Sequence, residues 1–164
     1  MTNLAIINQK IISLTQLMRN IAVWRMKGLK VVFTNGCFDL LHPGHIDYLS
    51  KAADLGDILI IGLNSDSSVK KLNKGSSRPI QNQNDRALIL SSIQFIEAIT
   101  IFDEDTPLDL IKQIRPDVLV KGGDWQENQI VGAEFVKTNG GIVNIIPFLE
   151  GYSTTTIEKK IKNS

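Results

Sequence analysis

The sequence has little cysteine and no long hydrophobic run. Its single cysteine, Cys37, has no partner for a disulfide within the chain, which is typical of proteins in a reducing compartment. No stretch approaches the ~18 consecutive apolar residues of a membrane-spanning helix. The amino terminus also lacks the basic segment and apolar core of a secretory signal. We therefore expect a cytoplasmic protein with no membrane partner.

An excess of charge of one sign is missing as well. The 18 Lys and Arg residues are nearly balanced by 17 Asp and Glu residues, so the formal net charge is +1. This balance offers no general attraction to nucleic acid or to an anionic membrane, and we expect no nucleic-acid partner. Any phosphate binding must therefore come from a local arrangement of residues.

Short apolar runs alternate with helical patterns after Gly28, in a chain whose 164 residues suit one domain with a sizeable core. The runs predict five strands, at residues 30–34, 57–63, 98–102, 117–121 and 142–146. Helices are predicted at residues 43–55, 84–93, 107–114, 131–139 and 153–161. This alternation predicts a single α/β domain, residues 29–164, with a Rossmann-like, doubly wound parallel sheet that binds ligands at the carboxyl ends of its strands.

The segment before this domain, residues 1–28, is predicted to be an N-terminal helical extension. Between residues 3 and 26, apolar side chains recur mostly at three- and four-residue steps, the spacing of an amphipathic helix. Such a stripe usually packs against the rest of a protein, and binding of a partner is the alternative. Further along, the polar stretch at residues 64–84 is the one long candidate for a mobile loop.

The most specific pattern lies at residues 35–45, Asn-Gly-Cys-Phe-Asp-Leu-Leu-His-Pro-Gly-His, where the first predicted strand gives way to a helix. His42 and His45 flank the predicted helix start, whose free amides and dipole favour an anion. Imidazoles there can donate hydrogen bonds to phosphate oxygens, and Gly36 and Gly44 leave room for a ligand beside the backbone. Each feature alone also fits a turn or a solvated histidine, but together they predict a binding site for nucleotide phosphates.

A basic cluster follows the second predicted strand. Lys70, Lys71, Lys74 and Arg78 surround a Gly-Ser segment suited to folding over a bound triphosphate, and a solvated surface loop is the alternative. Asp66, just before the cluster, could bind a ribose, coordinate magnesium or cap the next turn.

Three further positions predict contacts with a phosphorylated ligand. Arg86 stands near a predicted helix start, where a phosphate contact and a structural ion pair are both reasonable interpretations. Residues 121–125, Lys-Gly-Gly-Asp-Trp, combine a charge and two glycines with groups that could bond to or stack on a base or sugar. A glycine turn beside a packed tryptophan is the alternative there. Ser153 or Thr154 fits the N-cap of the last helix, and the four hydroxyl residues at 153–156 predict a second phosphate-binding helix start.

The tetrapeptide His42-Pro43-Gly44-His45 resembles the His-x-Gly-His signature of the cytidylyltransferase-like nucleotidyltransferase superfamily. Its members have an α/β fold and transfer a nucleotidyl group to a phosphorylated acceptor. From about Val31 to the C-terminus, the chain resembles the adenylyltransferase domains of ADP-heptose synthesis. The phrases Phe-Thr-Asn-Gly at 33–36 and Leu-Val-Lys-Gly-Gly-Asp at 119–124 favour this branch over the glycerol-3-phosphate cytidylyltransferases. In many bacteria the domain is fused to a sugar kinase, for which 164 residues leave no room, so we expect a stand-alone form.

The resemblance implies transfer of AMP from ATP, with Mg²⁺, to D-glycero-D-manno-heptose 1-phosphate, giving ADP-heptose and pyrophosphate for lipopolysaccharide or a related glycan. By the same resemblance, His45 stabilises charge on the α-phosphate, His42 holds the β-phosphate or the bridging oxygen, and Lys74 is a third catalytic residue. The residues implied in nucleotide binding are Asn35, Gly36, Cys37, Phe38, Asp39, Gly44, Asp66, Arg86, Lys121, Gly122, Asp124, Ser153, Thr154 and Thr155. No metal ligands are identified, and a homodimer is implied by the family alone.

Two alternatives to this function stay open. A cytidylyltransferase acting on glycerol 3-phosphate or phosphoethanolamine shares the phosphate-binding motifs, and a nucleotide-binding regulatory protein would keep them without catalysis. One departure from the family pattern is Ala53, where related enzymes often carry Arg or Lys. Lys51 lies about 200° round the predicted helix from that position and is an indirect substitute at best.

Overall fold

The computed structural model describes residues 1–72, 78–123 and 125–163. The strands are β1 (Val31–Gly36), β2 (Ile58–Asn64), β3 (Ala98–Phe102), β4 (Val118–Gly122) and β5 (Ile142–Ile146). The α-helices are α1 (Asn3–Asn8), α2 (Leu14–Met26), α3 (Pro43–Ala53), α4 (Asp66–Lys71), α5 (Gln83–Ser91), α6 (Leu108–Ile114), α7 (Ala133–Thr138) and α8 (Thr154–Lys162). Within the described residues, no helix is both long and apolar enough to cross a membrane.

The strands form one parallel sheet in the order β3-β2-β1-β4-β5. The central strand β1 pairs with β2 along its whole length, from Val31 opposite Ile58 to Gly36 opposite Leu63. The chain moves outward from β1 to β3 and then crosses to the other side with β4. The carboxyl ends of β1 and β4 therefore border the crevice where sheets of this kind bind ligands. The predicted five-stranded, doubly wound, Rossmann-like sheet is confirmed.

Apolar residues are buried on both faces of this sheet. All seven residues of β2 are buried, as expected for a parallel strand that helices cover on two sides. One face packs against residues of α2 and α6, including Leu17 and Ile111. The other face packs against α3 and α5 through Leu49 and Leu90. Because helices cover the faces, the strand ends are the part of the sheet that is open to a ligand.

The segment predicted to be helical, residues 3–26, forms two helices, α1 and α2. Between them the backbone pairs with β3, where Ile12 N donates to Ile99 O at 3.0 Å. Ser13 then caps α2 by accepting a hydrogen bond from Gln16 N at 3.3 Å. A helical period does not reveal pairing with a strand so far along the chain.

The prediction of a mobile-loop candidate over residues 64–84 is partly wrong, because the stretch contains helix α4. Ser65 caps this helix by accepting from Ser68 N at 3.1 Å, and two lysines in its last turn suit the negative end of the helix dipole. After the gap in the described residues, the chain continues from Arg78 and enters α5 through the N-cap Asn82.

Candidate active site

The histidine pair lies at the start of α3, beyond the carboxyl end of β1. His42 is the N-cap residue in an extended conformation and makes no side-chain capping bond, which leaves its imidazole for other contacts. Pro43 occupies the first turn, where its missing N–H costs nothing. The rings of His42 and His45 are stacked, with centroids 3.9 Å apart and an interplanar angle of 23°. The two imidazoles can therefore act on one ligand group.

Burial leaves both imidazoles neutral and short of hydrogen-bond partners. Nδ1 of His42 and Nδ1 of His45 are buried and have no partner in the part of the chain that the structure describes. Burial, and after it the neighbouring His42, lowers the pKa of His45 to about 4, and burial also lowers the pKa of His42. Buried polar groups are normally paired, so these nitrogens mark a place for a ligand atom. A phosphate there would supply a partner and would favour a proton on either ring.

Phe38 shapes the loop beside His45. Its backbone is in the left-handed region, with φ of 45°, and its ring meets the His45 ring edge-on with centroids 5.4 Å apart. The same ring lies 2.9 Å from the position that a Cβ on Gly36 would take. Gly36 therefore makes room for Phe38, and the ligand space predicted there is filled by the protein itself. Phe38 supports the orientation of His45 by packing.

The spaces predicted beside Gly44 and Gly122 are also occupied by side chains. A Cβ on Gly44 would lie 3.1 Å from the His42 ring and 3.1 Å from Cβ of Tyr152. A Cβ on Gly122 would lie 2.8 Å from the ring of Phe148, which is itself largely exposed. Sequence reasoning missed both aromatic residues, whose only signal is their position after the last strand. Their contacts bring the segment after β5 against the site.

Asn35 and Lys121 meet at the crevice between β1 and β4. Nζ of Lys121 donates to Oδ1 of Asn35 at 2.9 Å, and both residues are half-buried. Nearby, the hydroxyls of Thr34 and Tyr48 share a buried hydrogen bond of 2.5 Å. Burial raises the pKa of Tyr48 to about 12, which keeps this phenol neutral. The crevice thus combines neutral buried groups with a cation, an arrangement that suits a phosphate or a ribose.

Asp39, predicted to contact the nucleotide, is instead hydrogen-bonded to other residues of the protein. Its carboxylate accepts from Ile80 N at 2.9 Å, from Gln81 N at 3.0 Å and from Nη1 of Arg78 at 3.0 Å. The Asp39 side chain is only 4% exposed. A carboxylate that is buried and already bonded in this way would repel a phosphate. Asp39 therefore anchors the segment that leads into α5.

Arg86 and Asp66 form the structural ion pair that sequence reasoning gave as an alternative. Nη2 of Arg86 lies 2.7 Å from Oδ1 of Asp66, and the Arg86 side chain is fully buried. The guanidinium also donates to the backbone oxygens of Cys37, Asn64 and Gln81, at 2.6, 2.9 and 3.0 Å. Neither the phosphate contact predicted for Arg86 nor a free Asp66 carboxylate fits this geometry. Arg86 ties the β1–α3 loop, through the Cys37 carbonyl, to the end of β2 and the start of α5.

Helix α8 begins beside the histidines. Ser153 is its N-cap, and the Ser153 hydroxyl accepts from Thr156 N at 3.0 Å and lies 2.8 Å from Oγ1 of Thr156. Thr154 and Thr155 form the first turn that follows. The contact between Tyr152 and Gly44 places this helix start against the start of α3. Two helix N-termini thus converge, and their free amides favour an anion between them.

Two predicted site residues, Lys74 and Asp124, lie outside the described residues. Of the other cations in the basic cluster, Lys71 is exposed and pairs with Asp105 at 2.8 Å. Arg78 forms ion pairs with Asp39 and Glu158, each at 3.0 Å. Lys71 and Arg78 are therefore less free to bind a triphosphate than the composition of the cluster predicts.

No group of three or more His, Cys, Asp or Glu side chains suited to a metal ion is present among the described residues. The carboxylates of Asp39 and Asp66 are both bonded to arginines. The described residues therefore do not fit a metal ion held by the protein alone.

The cytidylyltransferase-like family model matches residues 33–160. The chain belongs to this family. It is a nucleotidyltransferase, as its paired histidines at a helix start and its Rossmann-like sheet also indicate.

Curated relatives named bifunctional protein HldE match most of the chain. The protein of Wolinella succinogenes is 51% identical over 156 residues, covering 95% of this chain and 32% of the relative. The protein of Campylobacter concisus is 57% identical over 135 residues, covering 82% of this chain and 28% of the relative. The chain thus spans about a third of the length of these relatives.

Two solved structures share the fold. A lipopolysaccharide core biosynthesis protein from Thermoplasma volcanium has a TM-score of 0.61 and 27% identity, over 77% of this chain and 100% of that chain. A pantoate-β-alanine ligase from Francisella tularensis has a TM-score of 0.60 over 93% of this chain and 76% of that chain. The second protein is only 14% identical, so it bears on the fold alone.

Proposed function

We propose that the chain transfers AMP from ATP to D-glycero-D-manno-heptose 1-phosphate, releasing pyrophosphate and giving ADP-heptose for lipopolysaccharide or a related glycan. The observation that carries the chemistry is the stacked pair of neutral imidazoles at the start of α3, each with a buried Nδ1 that has no partner among the described residues. The choice of substrates is supported by the similarity to HldE proteins and to a lipopolysaccharide core biosynthesis protein.

The proposed reaction is an in-line displacement at the α-phosphorus of ATP. A phosphate oxygen of the sugar 1-phosphate forms the new P–O bond, and the bond from the α-phosphorus to the bridging oxygen breaks as pyrophosphate leaves. No covalent intermediate on the protein is needed, so catalysis is positioning and electrostatic stabilisation. His45 donates a hydrogen bond to the α-phosphate, where negative charge grows, and His42 donates to the β-phosphate or the bridging oxygen.

The start of α8 would bind the pyrophosphate end of ATP. Its free backbone amides, together with the hydroxyls of Thr154 and Thr155, would bind an anion more favourably than a neutral group. In our proposal Lys74 adds a positive charge there, and Lys121 and Asn35 bind the nucleotide at the crevice. Mg²⁺ would arrive bound to the triphosphate, because the described carboxylates form no site of their own. A cytoplasmic location and a homodimer stay predictions.

Ala53, where related enzymes often carry Arg or Lys, bears on how the acceptor phosphate is bound. Lys51, the nearest basic residue in α3, pairs with Asp47 at 2.7 Å one turn earlier in the helix. This pair occupies the Lys51 ammonium, so Lys51 does not simply take over the role of a cation at position 53. We therefore expect the acceptor phosphate to be held mainly by other residues.

The test is pyrophosphate release in the presence of Mg²⁺, with ATP or CTP offered against heptose 1-phosphate, glycerol 3-phosphate and phosphoethanolamine. We expect release only with ATP and the heptose phosphate. Release that requires CTP would move the chain to the cytidylyltransferases. Nucleotide binding without release from any pair would favour the regulatory alternative.

A further inference from the structure

Arg78 lies between two carboxylates from distant parts of the chain. Its Nη1 is 3.0 Å from Oδ2 of Asp39, and its Nη2 is 3.0 Å from Oε2 of Glu158. The side chains of Asp39, Arg78 and Glu158 are 4%, 12% and 24% exposed, so water and salt screen these pairs only in part. The planar guanidinium can donate hydrogen bonds to both carboxylates at once, and it holds them in a more fixed geometry than a lysine ammonium would.

The three charges connect three segments that border the site. Asp39 belongs to the loop that leads into the start of α3 and its histidines, Arg78 to the segment that leads into α5, and Glu158 to α8. The sequence gives no sign of this link, because Glu158 lies 80 residues after Arg78 and stands in no motif.

The ion pair of Glu158 bears on how α8 is rotated about its own axis. Residues four apart in an α-helix lie on the same face, and Glu158 is four residues after Thr154. The bond from Glu158 to Arg78 therefore fixes the direction in which the first turn of α8 presents Thr154. The contact of Tyr152 with Gly44 fixes the end of the helix nearest the histidines. These two contacts, at different points along the chain, restrain both the position and the rotation of the helix start.

We propose that Glu158 is a positioning residue, which through Arg78 and Asp39 holds the start of α8 in register with His42 and His45 for binding a triphosphate. This inference rests on the proposed function for the role of α8. Glu158 touches no reacting atom in this scheme. It acts by keeping two phosphate-binding helix starts aligned.

The test compares Glu158→Gln with Glu134→Gln, the same chemical change at an exposed position of helix α7. The Glu134 carboxylate makes no ion pair within the described ranges. We expect Glu158→Gln to raise the KM for ATP about tenfold, because a small misplacement of a binding group is costly. The kcat and the thermal unfolding midpoint should change little, and Glu134→Gln should match the wild type throughout.

A double-mutant cycle with Arg78→Gln separates positioning from local damage to α8. If Glu158 acts through Arg78, Glu158→Gln has no further effect on the KM for ATP once Arg78 is replaced. An undiminished effect in that background would overturn the proposal, as would an unchanged KM in the single variant.

Failure of the proposed function is recognised separately, by measuring ATP affinity directly by calorimetry. If wild type releases no pyrophosphate with any acceptor but binds ATP about tenfold more tightly than Glu158→Gln, the acceptor is wrong and the positioning role stands. Equal affinities overturn the positioning role, whatever the acceptor. A wild-type protein that does not bind ATP overturns both.

Discussion

At the scale of single residues, the site depends on two imidazoles that stay uncharged. Two protonated rings with centroids 3.9 Å apart would repel each other, and burial penalises each charge further. Each neutral ring keeps one N–H to donate. The pair of imidazoles is thus ready to bind an anion, whose negative charge would favour protonation of a ring. The rings should become stronger hydrogen-bond donors once the anion is bound.

Replacing His45 with alanine tests this role. We expect His45→Ala to lower kcat/KM for ATP by about 10²- to 10³-fold, as removal of one donor to a developing oxyanion does in other enzymes. The ring packs on Phe38 but lies at a polar helix start, so circular dichroism should show an unchanged fold. Near wild-type activity in His45→Ala would refute the assignment of His45.

The pKa of His45 also predicts how stability depends on pH. In the unfolded chain His45 takes up a proton below its ordinary pKa of 6.5, whereas in the folded protein it does so only near pH 4. The folded state therefore loses stability as the pH falls from about 6.5 to about 4, and this contribution levels off below that window. His42, whose pKa is also lowered, acts in the same direction.

The check is to measure the thermal unfolding midpoints of wild type and His45→Gln at about pH 7.5, 5.5 and 4.5. These values run from above the titration window of His45 into its lower half. We expect the variant to lose less stability over this range because it lacks the titrating ring. Parallel losses in both proteins would mean that His45 is not the group responsible.

At the scale of elements, Arg86 holds three pieces of the site together. The fully buried guanidinium joins the loop after β1, the end of β2 and the N-terminal region of α5. Replacing it with methionine would remove the ion pair of Asp66 and the hydrogen bonds that Arg86 donates to three carbonyl oxygens. Arg86 thus determines whether the loop bearing the histidines keeps its shape.

We expect Arg86→Met to lower the free energy of unfolding by about 3 kcal/mol or more, the range for breaking a buried pair. The matched control is Lys71→Met, which breaks the exposed pair with Asp105 and should cost less than about 1 kcal/mol. Urea denaturation measures both. Equal, small losses would show that Arg86 is not part of the scaffold and would reopen its predicted contact with phosphate.

What the sequence could predict at this scale depended on distance along the chain. The strand–histidine–helix unit around His42 is local, so periodicity, Pro43 and the helix dipole were sufficient to place it. Apart from the Gln81 carbonyl, five residues before Arg86, the partners of Asp39 and Arg86 lie 20 to 49 residues away, and no pattern signals such contacts. Buried ionic groups of this kind look the same in a sequence as residues that bind phosphate.

At the scale of the whole molecule, alternating strands and helices predicted the doubly wound sheet but not its lateral order. That order decides which strand ends meet, and it brings Lys121 of β4 to Asn35 of β1. The N-terminal segment shows the converse case. Its apolar period was visible, but its break and its pairing beside Ile99 arise only in the folded chain.

The N-terminal helices bear on whether residues 29–164 form an independent unit. Leu17 and Ile21 of α2 are fully buried in the same cluster as Val31 of β1. Burial of one such side chain contributes about 1.5 to 3 kcal/mol, a large part of the roughly 5 to 15 kcal/mol that stabilises a typical domain. The segment is therefore expected to belong to the core rather than to extend from it.

Two deletions would test this expectation. Removing residues 1–28 should give a protein that aggregates or lacks a cooperative unfolding transition, since one face of the sheet would lose part of its cover. Removing only residues 1–9 deletes α1, which contains no buried residue, and keeps the pairing of Ile11 with Ile99. That shorter deletion should unfold cooperatively, at a midpoint only slightly below wild type. If the longer deletion unfolds at the wild-type midpoint, α2 is dispensable and the N-terminal segment is a true extension.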